Sequence, residues 1–460
     1  MLLRPAPSKQ RTKRDTFTAD SAKRSAAERQ SRGVYNPQGT KLRPRAVRLG
    51  GLGLLVSRSD IVDRGGRRFY PILLLLVAFG ARADVVTDWA DLTTEIADEG
   101  PNTIRTMALA QSAVYEAVNA ITARYPRDRV NLGPGQGVSV EAAVAAASRA
   151  VLLQEAPALK EKTEAAYAQA LAAIAEGAAR TTGIGVGERA AADVLTKHGH
   201  DLESIQPYRP VTSPGRYVPT TIPTGWSLGQ HRPWFMKSAE QFRPGPPPAL
   251  KSERWARDYN EVKAFGSVTS TVRTPEQTEI ARFWATNLPD VHLGLARSVA
   301  SAPGREVTRN ARLYAAVTAA MNETETSVFE AKYHYLFWRP ITAIRNGDRD
   351  DNSATERDAD WVPLIATPMQ PEYPCAHCML AAAITTVLRA EAGGVSALEL
   401  STTSNTARGV TRRWTSTDAV VQEVSMARIS AGVHYRTSTE VGNHMGEQVG
   451  ARVAAAYGLH

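Results

Sequence analysis

AKYHYLFWRP, residues 331–340, is the stretch that decides the fold. Lys332 is followed seven positions later by Arg339 and then Pro340, and seven residues at about 100° each make nearly two helical turns, so the spacing puts both cations on one face. Pro340 lacks an amide proton and ends or kinks the run, which leaves Arg339 expected in the last turn. Further along, PCAHCMLAAAITTVL, residues 374–388, sets His377 at the opening of an apolar helix. The free backbone N–H groups of such an opening attract anions before any side chain is counted. In ARISAGVHYRTSTE, residues 427–440, Arg428 precedes His434 by six positions. Thr437 and Glu440 have capping-box spacing, which predicts a final helix from about 438 with His434 in the tight connection before it. Lys332, Arg339, Arg428, His377 and His434 carry no carboxylate among them. That set suits a tetrahedral or trigonal oxyanion.

The three stretches resemble the signature shared by vanadium-dependent haloperoxidases and type 2 phosphatidic acid phosphatases, including soluble secreted bacterial members. That signature runs K-x-x-x-x-x-x-R-P, then P-S-G-H, then S-R-x-x-x-G-V-H-x-x-x-D. Here Lys332, Arg339 and Pro340 complete the first part. Pro374 and His377 keep the second, with Cys375 for Ser and Ala376 for Gly. Arg428, Gly432, Val433 and His434 keep the third, with Ala427 for Ser and Ser438 for the closing Asp.

The resemblance implies an all-α protein of two packed helical bundles with the oxyanion site in the C-terminal one. It implies His434 as ligand to the vanadium of a bound vanadate, or as nucleophile toward phosphorus. His377 is implied as acid or base, and Lys332, Arg339, Arg428, Cys375 and the backbone at Ala376 as contacts to the oxygens. Substrates would be hydrogen peroxide with a halide or another small nucleophile. On the same site, with phosphate in place of vanadate, an acid phosphatase would cleave a phosphomonoester through a phospho-histidine. Two departures bear on efficiency: a thiol at Cys375 donates more weakly than Ser, and Ser438 cannot supply the carboxylate that would orient His434. Other classes are a non-catalytic phosphate-binding protein, and a thiol-disulfide oxidoreductase built on Cys375 and Cys378, which lacks the βαβ context usual for C-x-x-C.

The rest of the chain reads as support. It has 460 residues, 43% of them hydrophobic, enough for a large core. The formal charge of +9 is unevenly spread: residues 1–83 carry about +13 and the remainder about −4. A body of that charge argues against nucleic-acid binding. Arg64, Arg67 and Arg68 precede the apolar run Phe69 to Phe79, and Ala81-Arg82-Ala83 offers a small-x-small cleavage site, which reads as a signal peptide over 64–83. Residues 1–63 read as a disordered or mis-annotated leader, with the translated start expected at Val56 or Val62. The mature protein is expected to be secreted or periplasmic without stable membrane insertion; its oligomeric state is open.

Residues 84–201 read as an N-terminal helical bundle. Ile104, Met107, Val114, Val118 and Ile121 mark one helix, and further runs lie near 138–154, 158–177 and 185–198. His198 and His200 have metal-ligand spacing but read as a polar helix end. Residues 202–250 are rich in Pro and aromatics and read as a crossover that wraps the surface or forms a pocket rim. Within 251–460, helices are expected near 251–265, 275–302, 305–338, 377–391, 418–430 and 438–457, with no strand.

Overall fold

The computed structural model describes residues 84–99, 102–126, 137–199, 208–286 and 288–460. The expected leader and signal peptide, and His200, lie outside the described residues.

Thirteen helices order these residues: α1 (Val85–Ala97), α2 (Thr103–Thr122), α3 (Val140–Glu155), α4 (Lys160–Ala172), α5 (Ala178–His198), α6 (Glu253–Gly266), α7 (Pro275–Phe283), α8 (Leu288–Ala300), α9 (Val307–Tyr335), α10 (Pro340–Arg345), α11 (Ala376–Glu391), α12 (Thr417–Ser430) and α13 (Arg436–Ala456). A hairpin of β1 (Leu400–Thr403) and β2 (Thr411–Trp414) pairs antiparallel with Leu400 opposite Trp414. The protein is all-α in class, and this hairpin is an addition that no alternation in the sequence betrays. The described residues fall in one compact unit. None of their helices is long and apolar enough to cross a membrane.

The long helix α9 is the axis. Its 29 residues run for about 43 Å at 1.5 Å each, and most are buried, as befits a helix covered by neighbours on several sides. Among these neighbours are α2 and α1 from the N-terminal half and α11 and α13 from the C-terminal half. Glu323 in α9 is buried yet satisfied: the backbone N–H groups of Trp234, Phe235 and Met236 donate to it at 2.7, 3.1 and 3.0 Å. Those three amides belong to the aromatic crossover, so one carboxylate pins that segment to the axis.

The pair α11 and α13 brings two of the signature stretches together. Gly442, Gly446 and Gly450 recur every fourth residue on α13, and a Cβ at these positions would stand 2.6 Å from the Cys375 carbonyl, 2.1 Å from Met379 and 2.5 Å from Ala383. Only the missing side chains allow the helix backbones to approach this closely. The same device joins α5 to α3, where a Cβ on Gly187 would lie 2.2 Å from the Ala143 carbonyl. A Cβ on Gly183, in the stretch read from the sequence as a break, would likewise lie 2.4 Å from the Ser139 carbonyl, and α5 runs through it from Ala178.

Several expected helices change shape for reasons visible at the site. The run expected over 275–302 is two helices, α7 and α8, because the stretch from Trp284 to Thr286 turns its backbone toward other groups. The run expected over 305–338 ends at Tyr335, where Leu336 takes a left-handed conformation. Arg339 is therefore not in a last helical turn. It is the extended N-cap residue of α10, and Pro340 opens that helix rather than ending the previous one. Nor do Thr437 and Glu440 form a capping box: Tyr435 is the N-cap residue of α13, and both side chains contact Arg254 instead. One helix inside the expected N-terminal bundle, α1, had no run of its own marked in the sequence, although Val86, Trp89, Ala90, Thr93, Ile96 and Ala97 bury a clean helical stripe capped by Asp84.

Candidate active site

Lys332, Arg339, Ala376, His377, Arg428 and His434 line one cavity of about 350 Å³. They come from the end of α9, the start of α10, the start of α11, the end of α12 and the connection before α13. Lys332, Arg339, Arg428 and His434 are each at most 2% exposed.

None of the three cations has a carboxylate ion partner among the described residues. Lys332 Nζ donates to the carbonyls of Pro371 and Glu372, both at 2.9 Å. Arg339 Nε donates to the Gln370 carbonyl and its Nη1 to the Val433 carbonyl, each at 2.8 Å. Arg428 Nη1 donates to the Trp284 carbonyl at 2.8 Å. That last bond uses a carbonyl freed by the break between α7 and α8. Burial pushes Lys332 well below the usual lysine range, and Arg339 beside it adds to the shift. Burial likewise lowers Arg339 to about 10 and Arg428 to about 9. An anion beside them would favour the charged form of all three.

His434 is held in one tautomer. Its Nδ1 lies 2.7 Å from Glu372 Oε1, and Arg339 Nη1 lies 3.1 Å from its Nε2. A guanidinium only donates, so Nε2 accepts and the ring proton sits on Nδ1, donated to Glu372. Burial and the cations Arg339, Lys332 and Arg428 push the pKa of His434 well below the ordinary range, which keeps the ring neutral. The Nε2 lone pair is thereby aimed where the three cations converge. Burial raises Glu372 to about 7, opposed by Arg339 and Lys332 and by the N–H of Tyr435, which donates to Oε1 at 3.1 Å.

Glu372 corrects an expectation. The carboxylate missing at Ser438 is present, but it comes from the segment before α11. Ser438 stands behind the ring with its Oγ 3.4 Å from Nδ1, and its hydroxyl also favours the charged form of Glu372.

His377, in the first turn of α11, is pushed well below its usual pKa by burial, then by Arg428 and by His292 of α8, while a hydrogen bond to the Thr286 backbone pulls the other way. Cys375 does not fill the expected role. It is joined to Cys378 in a disulfide, is fully buried and is absent from the cavity lining. Its sulfur has no proton to donate and instead accepts from the Cys378 N–H at 3.3 Å as the N-cap of α11.

The donor set fits an oxyanion such as vanadate or phosphate. Arg428 Nε and His377 Nε2 are buried atoms with no hydrogen-bond partner among the described residues, and buried polar groups left in that state are costly unless a ligand satisfies them. No cluster of His, Cys, Asp and Glu among the described residues could hold a metal cation. His198 stacks on Trp234 at 4.3 Å between ring centroids.

Residues 312–458 match the VCPO second helical-bundle domain. The vanadium chloroperoxidase of Curvularia inaequalis is 26% identical over 199 residues, covering 35% of this chain and 32% of that protein. The C-terminal part of the chain is similar to vanadium haloperoxidases. The chain thus spans about a third of the length of that curated relative. Among solved structures, the first bacterial vanadium-dependent iodoperoxidase superposes with a TM-score of 0.68 at 22% identity, covering 81% of this chain and 95% of the other. The apo-type bacterial vanadium-dependent chloroperoxidase gives 0.60 at 16% identity, over 78% and 94%. These two likenesses concern the fold.

The sequence alone did not point to Glu372, His292, the Trp284 and Thr286 backbone groups, or Glu325, which lines the same cavity. Glu372 left one trace, a lone carboxylate two residues before Pro374.

Proposed function

We propose that the protein is a secreted or periplasmic vanadate-dependent peroxidase that uses hydrogen peroxide to oxidise a halide or another small nucleophile. What carries this reading is His434: a neutral ring whose tautomer is fixed by Glu372 and whose Nε2 lone pair points into a trio of buried cations. The similarity to vanadium haloperoxidases supports it.

His434 Nε2 would hold the vanadium, and Lys332, Arg339, Arg428 and the N–H of Ala376 would hold the oxygens. When bound, vanadate supplies the oxidation of the halide by hydrogen peroxide. The chain's own contribution is electrostatic preorganisation, cations fixed by backbone carbonyls before any ligand arrives. Arg339 Nη1 gives up its contact with Nε2 and turns its charge to the ligand. His377, kept neutral by burial and then by Arg428, would offer Nε2 as acceptor for a proton lost by hydrogen peroxide. A bound oxyanion offsets those cations, raises the basicity of His377 and so favours that transfer.

The second reading is an acid phosphatase. The His434–Glu372 pair favours keeping it, because a nucleophilic imidazole needs the orienting carboxylate that sequence alone had seemed to deny it. His434 Nε2 would attack phosphorus, the ester oxygen would leave with a proton from His377, and water would then release phosphate from His434. Peroxide-dependent halide oxidation by vanadate-loaded protein, measured beside phosphomonoester hydrolysis by vanadate-free protein, separates the two. The peroxidase should dominate, with both rates lost in His434→Ala. Efficient hydrolysis without vanadate-dependent oxidation would reverse the order, and neither activity would leave a phosphate-binding protein.

A further inference from the structure

The cavity lining differs in burial and charge. Its buried, inner lining is Lys332, Arg339, Arg428 and His434, with His377 beside them, while its more exposed, outer lining includes Asp98, Asn102, Thr103 and Glu325. Glu325 lies seven residues before Lys332 on α9, so the two share a helical face about 10 Å apart along the axis. Helical side chains lean toward the N-terminus, so Lys332 leans toward Glu325.

Glu325 differs from the other glutamates along this part of the helix. Glu323 receives three backbone N–H groups, and Glu330 is clamped by Arg243, whose Nε donates to it at 2.9 Å. Glu325 is partly buried, makes no hydrogen bond or ion pair with another described residue, and faces a cavity whose walls include Ile104, Leu228, Ile365 and Pro368. Burial raises its pKa to about 7, with His231 opposing. A part-buried carboxylate that faces a cavity and makes no hydrogen bond to another described residue is a candidate for contact with a ligand.

We propose that Glu325 is a substrate-selecting residue, and that the cavity takes organic molecules carrying a protonated amine at one end, held by Glu325, with the reacting end at the cation trio. This deepens the oxyanion-site assignment above and rests on it, whether the site serves a peroxidase or a phosphatase. Small halides would be supported by the inner end alone. A charge-assisted bond from an ammonium to a carboxylate in a part-desolvated cavity should favour the amine-bearing molecule by about tenfold or more.

The test uses vanadate-free full-length protein and ω-aminoalkylphosphonates with two to five methylenes, each matched with the alkylphosphonate of the same length. Their carbon–phosphorus bond resists hydrolysis, so binding can be titrated calorimetrically under either activity. The ratio of the two dissociation constants should rise with length to a maximum of about tenfold or more. Glu325→Gln should bring that ratio to about 1, Glu325→Asp should move the maximum to a longer chain, and Glu330→Gln, whose partner is Arg243, should leave the ratio as in wild type. A wild type with no preference at any length overturns the proposal, and so does a preference that survives Glu325→Gln. Competition by inorganic phosphate is measured alongside: if wild type binds neither phosphate nor any phosphonate, the oxyanion-site assignment itself fails and this proposal with it. Phosphate binding without amine preference refutes Glu325 alone.

Discussion

Glu372→Ala removes the acceptor of the His434 Nδ1 proton, the 2.7 Å contact, and strands the Tyr435 N–H that also donates to Oε1. A buried hydrogen bond to a charged group contributes about 1.5–3 kcal/mol, or one to two decades in an equilibrium or rate constant. Loss of the partner behind a ligating histidine costs about 10–100-fold by the same logic. Glu372→Ala should therefore weaken vanadate and phosphate binding, and lower turnover, by about 10–100-fold. Glu372→Gln keeps an accepting oxygen but not the charge, so its loss should be smaller. Titration calorimetry reads the binding, halide oxidation reads turnover, and nitrogen NMR of the His434 ring reads the tautomer, which a merely structural defect would not change. Ser438→Asp in the wild type should bring no gain, because two carboxylates beside one ring cannot both stay ionised in a buried site. In the Glu372→Ala background the same substitution should restore most of the lost affinity. A folded double variant no better than Glu372→Ala would show that the carboxylate's position, and not only its presence, matters. Wild-type turnover and tautomer in Glu372→Ala would refute the role altogether.

Arg428→Ala should weaken phosphate binding by about one to two decades, since Arg428 has no carboxylate partner among the described residues to lose; wild-type affinity in calorimetry would remove it from the site. Phosphate at 100 times its dissociation constant should stabilise the protein by about 2.7 kcal/mol in thermal unfolding, and His377→Ala with Arg428→Ala should abolish most of that gain. Replacing Cys375 by Ser and Cys378 by Ala should cost only about 2 kcal/mol in denaturant unfolding, because the bridge closes a loop of sequence separation 3. Gly446→Ala should cost at least about 1–3 kcal/mol, since its Cβ would stand 2.1 Å from the Met379 carbonyl, and unchanged stability would deny the close approach of α11 and α13.

What was legible in the sequence followed from how far apart the interacting groups lie along the chain. The helical class was legible because its signal is local: the stripe of α2 and the apolar run after His377 each repeat within one element. The five cationic and histidine residues were legible through spacing and family likeness, and the cavity gathers all five. Where the chain leaves the helix, the same local logic misleads. Lys332 and Arg339 share the site because Leu336 turns the chain left-handed and Arg339 is extended, not because two helical turns align them. Trp284 to Thr286 look helical by local pattern, yet the Trp284 carbonyl accepts from Arg428 and the Thr286 backbone is bonded to His377. Glu372 is the extreme case. It reaches His434 across 62 residues of separation, and neither propensity nor period marks it, since its only claim on that place is a charge the ring needs and the chain withholds at Ser438. A functional pattern read residue by residue reports a missing group, whereas the folded site needs only the group's charge at the right atom, and any segment that passes Nδ1 can deliver it.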